Sequence, residues 1–169
     1  MDTSFSKIFS KTMVTIYPGE FYSSRDDEII STLLGSCVAV CLHDTSTGVS
    51  GMNHYMLEGR LINLIEHTKS SDKHALQSVS RLIDSMCQIG CSRNHLVAKI
   101  FGGGKVLATE NDIHTVPQDN IRAAKLILEM EDIHIEQEET GGKFTRKVLM
   151  EVKSGKTYVK RSLNTAVAK

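Results

Sequence analysis

Net charge, proline and uninterrupted apolar sequence are all scarce in this chain of 169 residues. Twenty Lys and Arg balance 20 Asp and Glu, so the formal charge is zero. A protein that rides on nucleic acid or on anionic lipid needs a cation for each phosphate contact, and neutrality argues against both kinds of partner. The one basic stretch, Lys153 to Arg161, is broken by Gly155, Thr157, Tyr158 and Val159. The longest purely apolar run, Cys37 to Leu42, has six residues, against about 20 for a membrane-crossing helix, so no membrane insertion is expected. Pro18 and Pro117 are the only prolines, and no linker or repeat divides the chain. Met1 to Thr12 lacks the apolar core of a signal peptide, so a cytoplasmic location is expected, where cysteines stay reduced.

What is present suffices for a core. With 40% hydrophobic and 24% charged residues the chain falls among globular proteins, and its length predicts one domain. That domain is expected over residues 13–161, between tails at 1–12 and 162–169. Strands are predicted at Met13 to Tyr17, at Glu28 to Leu34 before the Gly35-Ser36 turn, and at Cys37 to Leu42. Val49 to Leu57 reads as the return strand of a hairpin turning at Thr45 to Gly48. Leu76, Val79, Leu82, Ile83, Met86 and Ile89 recur at three and four, which predicts a helix over Asp72 to Ile89 stopped by Gly90. Leu96 to Phe101 predicts a strand that runs into Gly102-Gly103-Gly104. A second helix is expected from Pro117–Asn120 to Met130, followed by strands near Ile133–Ile135, Lys147–Val152 and Thr157–Val159. Two helices and about eight strands make a mixed α/β layered domain.

The chemistry centres on thiols and imidazoles. A free thiol, with a pKa of about 8.5, needs a nearby base or positive dipole to act as a nucleophile at neutral pH. Cys37 follows Gly35 and Ser36 at the entrance to a strand, where backbone N–H groups not used by the sheet can face an oxyanion. Taken alone, Cys37 reads either as a nucleophile or as a small buried hydrophobe. Cys41 lies about 13 Å further along the strand by the usual rise per residue and reads as core. Cys87, Cys91 and His95 are spaced by four, a spacing that suits a metal ligand set poorly because Gly90 interrupts the helix. Among seven histidines, His54 stands out. Mirror pairing about a turn centre near position 46 sets residue 37 opposite about 55, and a slip of one residue would change the face His54 occupies. Gly102 to Gly104 lack the spacing of a phosphate loop and read better as a close-packed brace. Leu61 to Ile65 forms an apolar segment in a polar connection, either a packed loop, a flap or a partner surface.

Taken together, Leu34-Gly35-Ser36-Cys37-Val38-Ala39-Val40-Cys41-Leu42 and Gly51-Met52-Asn53-His54-Tyr55-Met56-Leu57 resemble the motifs of the CheD family of chemoreceptor glutamine deamidases. Ala98 to Gly104, the Asn120 region and Thr140-Gly141-Gly142 match in order and spacing. The resemblance implies a layered α/β/β sandwich, similar to the catalytic domain of cytotoxic necrotizing factor toxins. It implies hydrolysis of receptor glutamine amides to glutamate and ammonia, without cofactor or metal. Cys37 would be the nucleophile and His54 its base, with oxyanion donors near Gly35 and Ser36. The family's orienting threonine falls on Ser31, with Thr32 as a substitute if the register shifts. Asn53, Gly102, Gly103 and Gly104 are candidates for a substrate loop. Methyl-accepting chemotaxis receptors are the implied partners, a CheC-type phosphatase a further one, and receptor methylesterase activity a possible accompaniment. An adaptor that only stimulates such a phosphatase is the rival reading. The chain departs from the family at Glu58, where proline is frequent, and at Thr115-Val116-Pro117. Zero net charge implies that substrate recognition is local rather than steered over long range.

Overall fold

The apolar run beginning at Cys37 becomes the strand that both layers of core share. The computed structural model describes residues 10–57, 73–106 and 116–163, and in it this run forms β4 (Val38–Asp44) at the centre of a five-stranded sheet. Side chains alternate along a strand. Val38, Val40 and Leu42 therefore face two helices, α1 (Lys73–Gln88) and α2 (Val116–Met130), and join Val79, Leu82, Ile83, Met86, Ala123, Ala124, Ile127 and Leu128 in one buried cluster. Ala39 and Cys41 face the opposite way, against Ile30, Leu34, Val148 and Met150 of a second sheet. A chain buried on both faces reads as unbroken hydrophobic sequence, which is why β4 shows no polar alternation.

The central sheet runs β2 (Phe21–Ser24), β5 (Ser50–Asn53), β4, β6 (Leu96–Gly102) and β7 (His134–Thr140), with β6 and β7 parallel. The outer sheet runs β1 (Thr12–Thr15), β3 (Glu28–Leu34), β8 (Phe144–Glu151) and β9 (Thr157–Leu163), with β1 and β3 parallel. Helices, mixed central sheet and mixed outer sheet thus stack as an α/β/β sandwich. Each fully buried aliphatic side chain of the two clusters contributes roughly 1.5–3 kcal/mol.

Several elements differ from the sequence expectation. β2 was not foreseen, because four residues between Gly19 and Asp26 carry too short a pattern to read. β7, β8 and β9 run longer than expected, and β9 continues to Leu163, paired with Phe144. β5 stops at Asn53, and only a single bridge, Val38 to Tyr55, resumes the hairpin beyond it. Helix α1 ends as predicted at Gly90 (φ +100°), where the Cys91 and Gly90 amides donate to the carbonyls of Met86 and Cys87. Leu61 to Ile65, Glu58 and Thr115 lie outside the described residues.

Candidate active site

The chain crosses from the outer sheet to the central one in three residues, Gly35, Ser36 and Cys37, between Leu34 of β3 and Val38 of β4. Cys37 is half-buried and packs against the cluster between the sheets. The glycine loop after β6 braces this corner. Gly103 donates its N–H to the Cys37 carbonyl at 2.7 Å and Gly104 donates to the Gly35 carbonyl at 2.8 Å. Gly102 adopts φ +110°, and a Cβ there would collide with the Cys37 carbonyl. The three glycines, candidates for a substrate loop, are buried, and their lack of side chains lets two backbones touch.

The hairpin places His54. Its turn is closed by Asp44, whose carboxylate accepts from the Ser46 and Thr47 amides and hydroxyls. The pairs Leu42 with Gly51 and Val38 with Tyr55 centre the turn half a residue later than mirror pairing about position 46 suggests. That half step matters. It sets His54 opposite Ala39, on the same face as Cys37 and diagonal to it, whereas pairing 37 with 55 would have turned the imidazole toward the helices. Asn53 is wedged into the ladder between them. Its Oδ1 accepts the Val40 N–H at 2.8 Å and its Nδ2 donates to Ser78 Oγ at 3.0 Å, so this fully buried side chain ties the hairpin to α1.

The hydroxyl that meets the His54 ring is that of Thr32, the substitute for Ser31. Even-numbered residues of β3 face the central sheet, as Ile30 and Leu34 show by their place in the inter-sheet cluster, and Ser31 faces away. Ser31 Oγ is buried without a hydrogen-bond partner among the described residues. Thr32 Oγ1 lies 2.8 Å from His54 Nδ1 and donates its own proton to the Ile16 carbonyl at 2.9 Å. A hydroxyl has one proton to give. With that proton on Ile16, Thr32 must accept from His54, which fixes the imidazole with hydrogen on Nδ1 and a lone pair on Nε2. Nε2 is buried and has no hydrogen-bond partner among the described residues.

Electrostatics keep the pair uncharged at rest. Burial lowers the His54 pKa to about 4, with Glu20 opposing weakly. Burial also pushes the Cys37 thiol up, partly offset by its own N–H and by the Ser36 hydroxyl. Near neutral pH both the Cys37 thiol and the His54 ring are therefore uncharged. Cys41 is core, with its thiol pushed up to about 12 by burial. Cys91 and His95 lie at the other end of β4, where Ser92 N–H reaches the Asp44 carboxylate and the His95 carbonyl accepts from Thr45 N–H. No helix among the described residues is long and apolar enough to cross a membrane.

Sequence reasoning passed over Asn120 as a site residue. It is fully buried in the first turns of α2, and its carboxamide bonds both the Ser36 carbonyl and the Leu57 amide. Only its place in a matching segment signalled it.

Residues 56–161 match the family model described as CheD chemotactic sensory transduction. A protein of Chromobacterium violaceum named "Probable chemoreceptor glutamine deamidase CheD 2" is 37% identical over 164 residues, covering 97% of this chain and 81% of that one. A Janthinobacterium protein (strain Marseille) named "Probable chemoreceptor glutamine deamidase CheD" is 34% identical over 157 residues, covering 93% of this chain and 77% of that one. Among solved structures, the hypothetical protein YfiH of Bacillus licheniformis aligns with a TM-score of 0.45 at 12% identity, over 73% of this chain and 49% of that one, too loose a likeness to carry an argument.

Proposed function

This chain belongs to the CheD family, and from that premise we propose that it is a protein-glutamine deamidase acting on chemoreceptors, with Cys37 as nucleophile and His54 as base. The observation that carries the reading is the hydrogen-bonded pair of Thr32 and His54. It leaves a buried Nε2 lone pair on the face that bears a half-exposed thiol. A binding module that only stimulates a phosphatase has no use for an imidazole held in one tautomer.

The proposed reaction follows from these atoms. His54 Nε2 takes the thiol proton while Cys37 Sγ bonds to the glutamine Cδ, and the carbonyl oxygen becomes an oxyanion. The amides of Ser36 and Cys37 donate to no carbonyl among the described residues and serve as its donors. Protonated His54 then gives its proton to the departing nitrogen, so ammonia leaves and a thioester remains. Water, deprotonated by the same Nε2, adds to the thioester and releases glutamate and the thiol. Every proton taken is returned, and no redox change is involved.

The test is mass spectrometry of receptor cytoplasmic fragments incubated with the protein. Deamidation adds about one dalton per glutamine, because nitrogen is replaced by oxygen. The Cys37→Ala variant should leave the fragments unchanged while it keeps the wild-type melting temperature. Continued conversion by that variant would rule Cys37 out as nucleophile.

A further inference from the structure

Three consecutive peptide units make the corner that carries Cys37, and each has its carbonyl held. Gly104 N–H holds the Gly35 carbonyl and Gly103 N–H holds the Cys37 carbonyl. The middle carbonyl, that of Ser36, is held by a side chain: Asn120 Nδ2 donates to it at 3.0 Å. A peptide unit is planar, and none here is cis. The carbonyl of Ser36 and the N–H of Cys37 belong to one such unit and point in opposite directions. Whatever fixes the first therefore aims the second. The Cys37 N–H therefore points away from Asn120, and it donates to no carbonyl among the described residues.

Asn120 also grips the other half of the site. Its Oδ1 accepts the Leu57 N–H at 2.7 Å, and its backbone carbonyl accepts from the Tyr55 hydroxyl at 2.7 Å. An amide proton on one side and a carbonyl oxygen on the other determine which way round the carboxamide sits. Tyr55 is the residue after His54, and it exchanges both backbone hydrogen bonds with Val38, the residue after Cys37. One carboxamide, fully excluded from solvent, thus spans the nucleophile's turn and the segment that bears the base.

We propose that Asn120 is a positioning residue that aims the Cys37 amide proton at the developing oxyanion and locks the Cys37 turn to the His54 segment. This role rests on the deamidase reading for its substrate, though not for its geometry. Only Asn supplies both contacts at this reach. Asp retains the acceptor for Leu57 but sets a carboxylate oxygen against the Ser36 carbonyl, which drives the peptide to turn.

Two reactions at Cys37 separate positioning from general support. Acylation by p-nitrophenyl acetate passes through a tetrahedral oxyanion: sulfur bonds the carbonyl carbon, His54 takes the thiol proton and p-nitrophenolate leaves. Alkylation by iodoacetamide displaces iodide at carbon and forms no oxyanion. In Asn120→Asp the ratio of acylation to alkylation rates should fall about 100-fold, the scale of losing one oxyanion donor. With receptor fragments, kcat should fall by a similar factor at little-changed KM. Tyr55→Phe, which loosens the same helix contact without touching the carboxamide, should keep the wild-type ratio. If Asn120→Asp does not fold, Asn120→Ser carries the same comparison. A ratio unchanged in the folded Asn120 variant, or lowered equally by Tyr55→Phe, overturns the positioning role. Wild-type protein that shows the ratio contrast yet deamidates no receptor fragment overturns the substrate reading and leaves the positioning role standing.

Discussion

Adjacent hydroxyls at Ser31 and Thr32 make opposite predictions when removed. Thr32→Val keeps the shape of the side chain and deletes the acceptor for His54 Nδ1–H and the donor for the Ile16 carbonyl. A net hydrogen bond is worth about 0.5–1.5 kcal/mol, and a buried group left unpaired costs about 1–3 kcal/mol. The imidazole escapes part of that cost by moving its proton to Nε2, the form that cannot act as a base. At roughly 1.4 kcal/mol per tenfold in rate, the expected loss in kcat is about 10- to 100-fold. Stability should fall by about 1–3 kcal/mol, or roughly 5 °C in melting temperature for a chain of this size. Ser31→Ala removes a buried hydroxyl that has no hydrogen-bond partner among the described residues. Its rate should stay within about twofold of wild type and its stability should hold or rise by about 1 kcal/mol. Ammonia release from receptor fragments and thermal melts read both variants. A Ser31→Ala enzyme slowed more than Thr32→Val would refute the assignment, because it would mean that the facing of β3 is the reverse of that described.

Two further outcomes are expected. A base must be neutral, and His54 is neutral above its pKa, so the acid limb of the pH–rate profile should fall near pH 4 and not near the ordinary imidazole value of 6.5; a limb at 6 to 7 would contradict the burial of the ring. Linkage has the same sign: the unfolded chain binds this proton below about 6.5 and the folded one only near 4, so stability should decline as pH falls through that interval, and His54→Leu should flatten the slope in denaturant melts. Gly102→Ala should cost both activity and several degrees of melting temperature, since φ +110° disfavours any side chain and the added carbon meets the Cys37 carbonyl; wild-type behaviour would show that the corner can move.

The sequence made the hairpin legible because both of its strands and its turn carry strong local signals. Cys37 to Leu42 is uniformly apolar, and Asp44 to Gly48 offers the polar side chains that close a turn. Register is finer than such signals. A half-residue shift of the turn centre decides the face of His54, and that turn is closed by four bonds from Ser46 and Thr47 to the Asp44 carboxylate. The choice between Ser31 and Thr32 was illegible for a related reason. β3 is buried on both faces over most of its length, so its apolar pattern carries no parity. Asn53 and Asn120 were unreadable as supports because each links segments far apart in sequence, and polar residues inside a core leave no periodic trace. The glycine loop was half readable: its spacing excluded a phosphate cradle, while its contact with the corner needed the fold.

β4 is buried on both faces apart from half-buried His43, and it begins one residue after the proposed nucleophile. Segments like this exchange their amide protons only when the molecule opens as a whole. The Val38 amide, bonded to Tyr55 beside the site, therefore belongs to the slowest-exchanging part of the chain. The corner that carries Cys37 is thus anchored to the most persistent element of the fold and not to a loop that frays on its own. Its geometry lasts as long as the native state does, and substitutions that weaken either core layer shorten the lifetime of the site by the same factor as that of the fold.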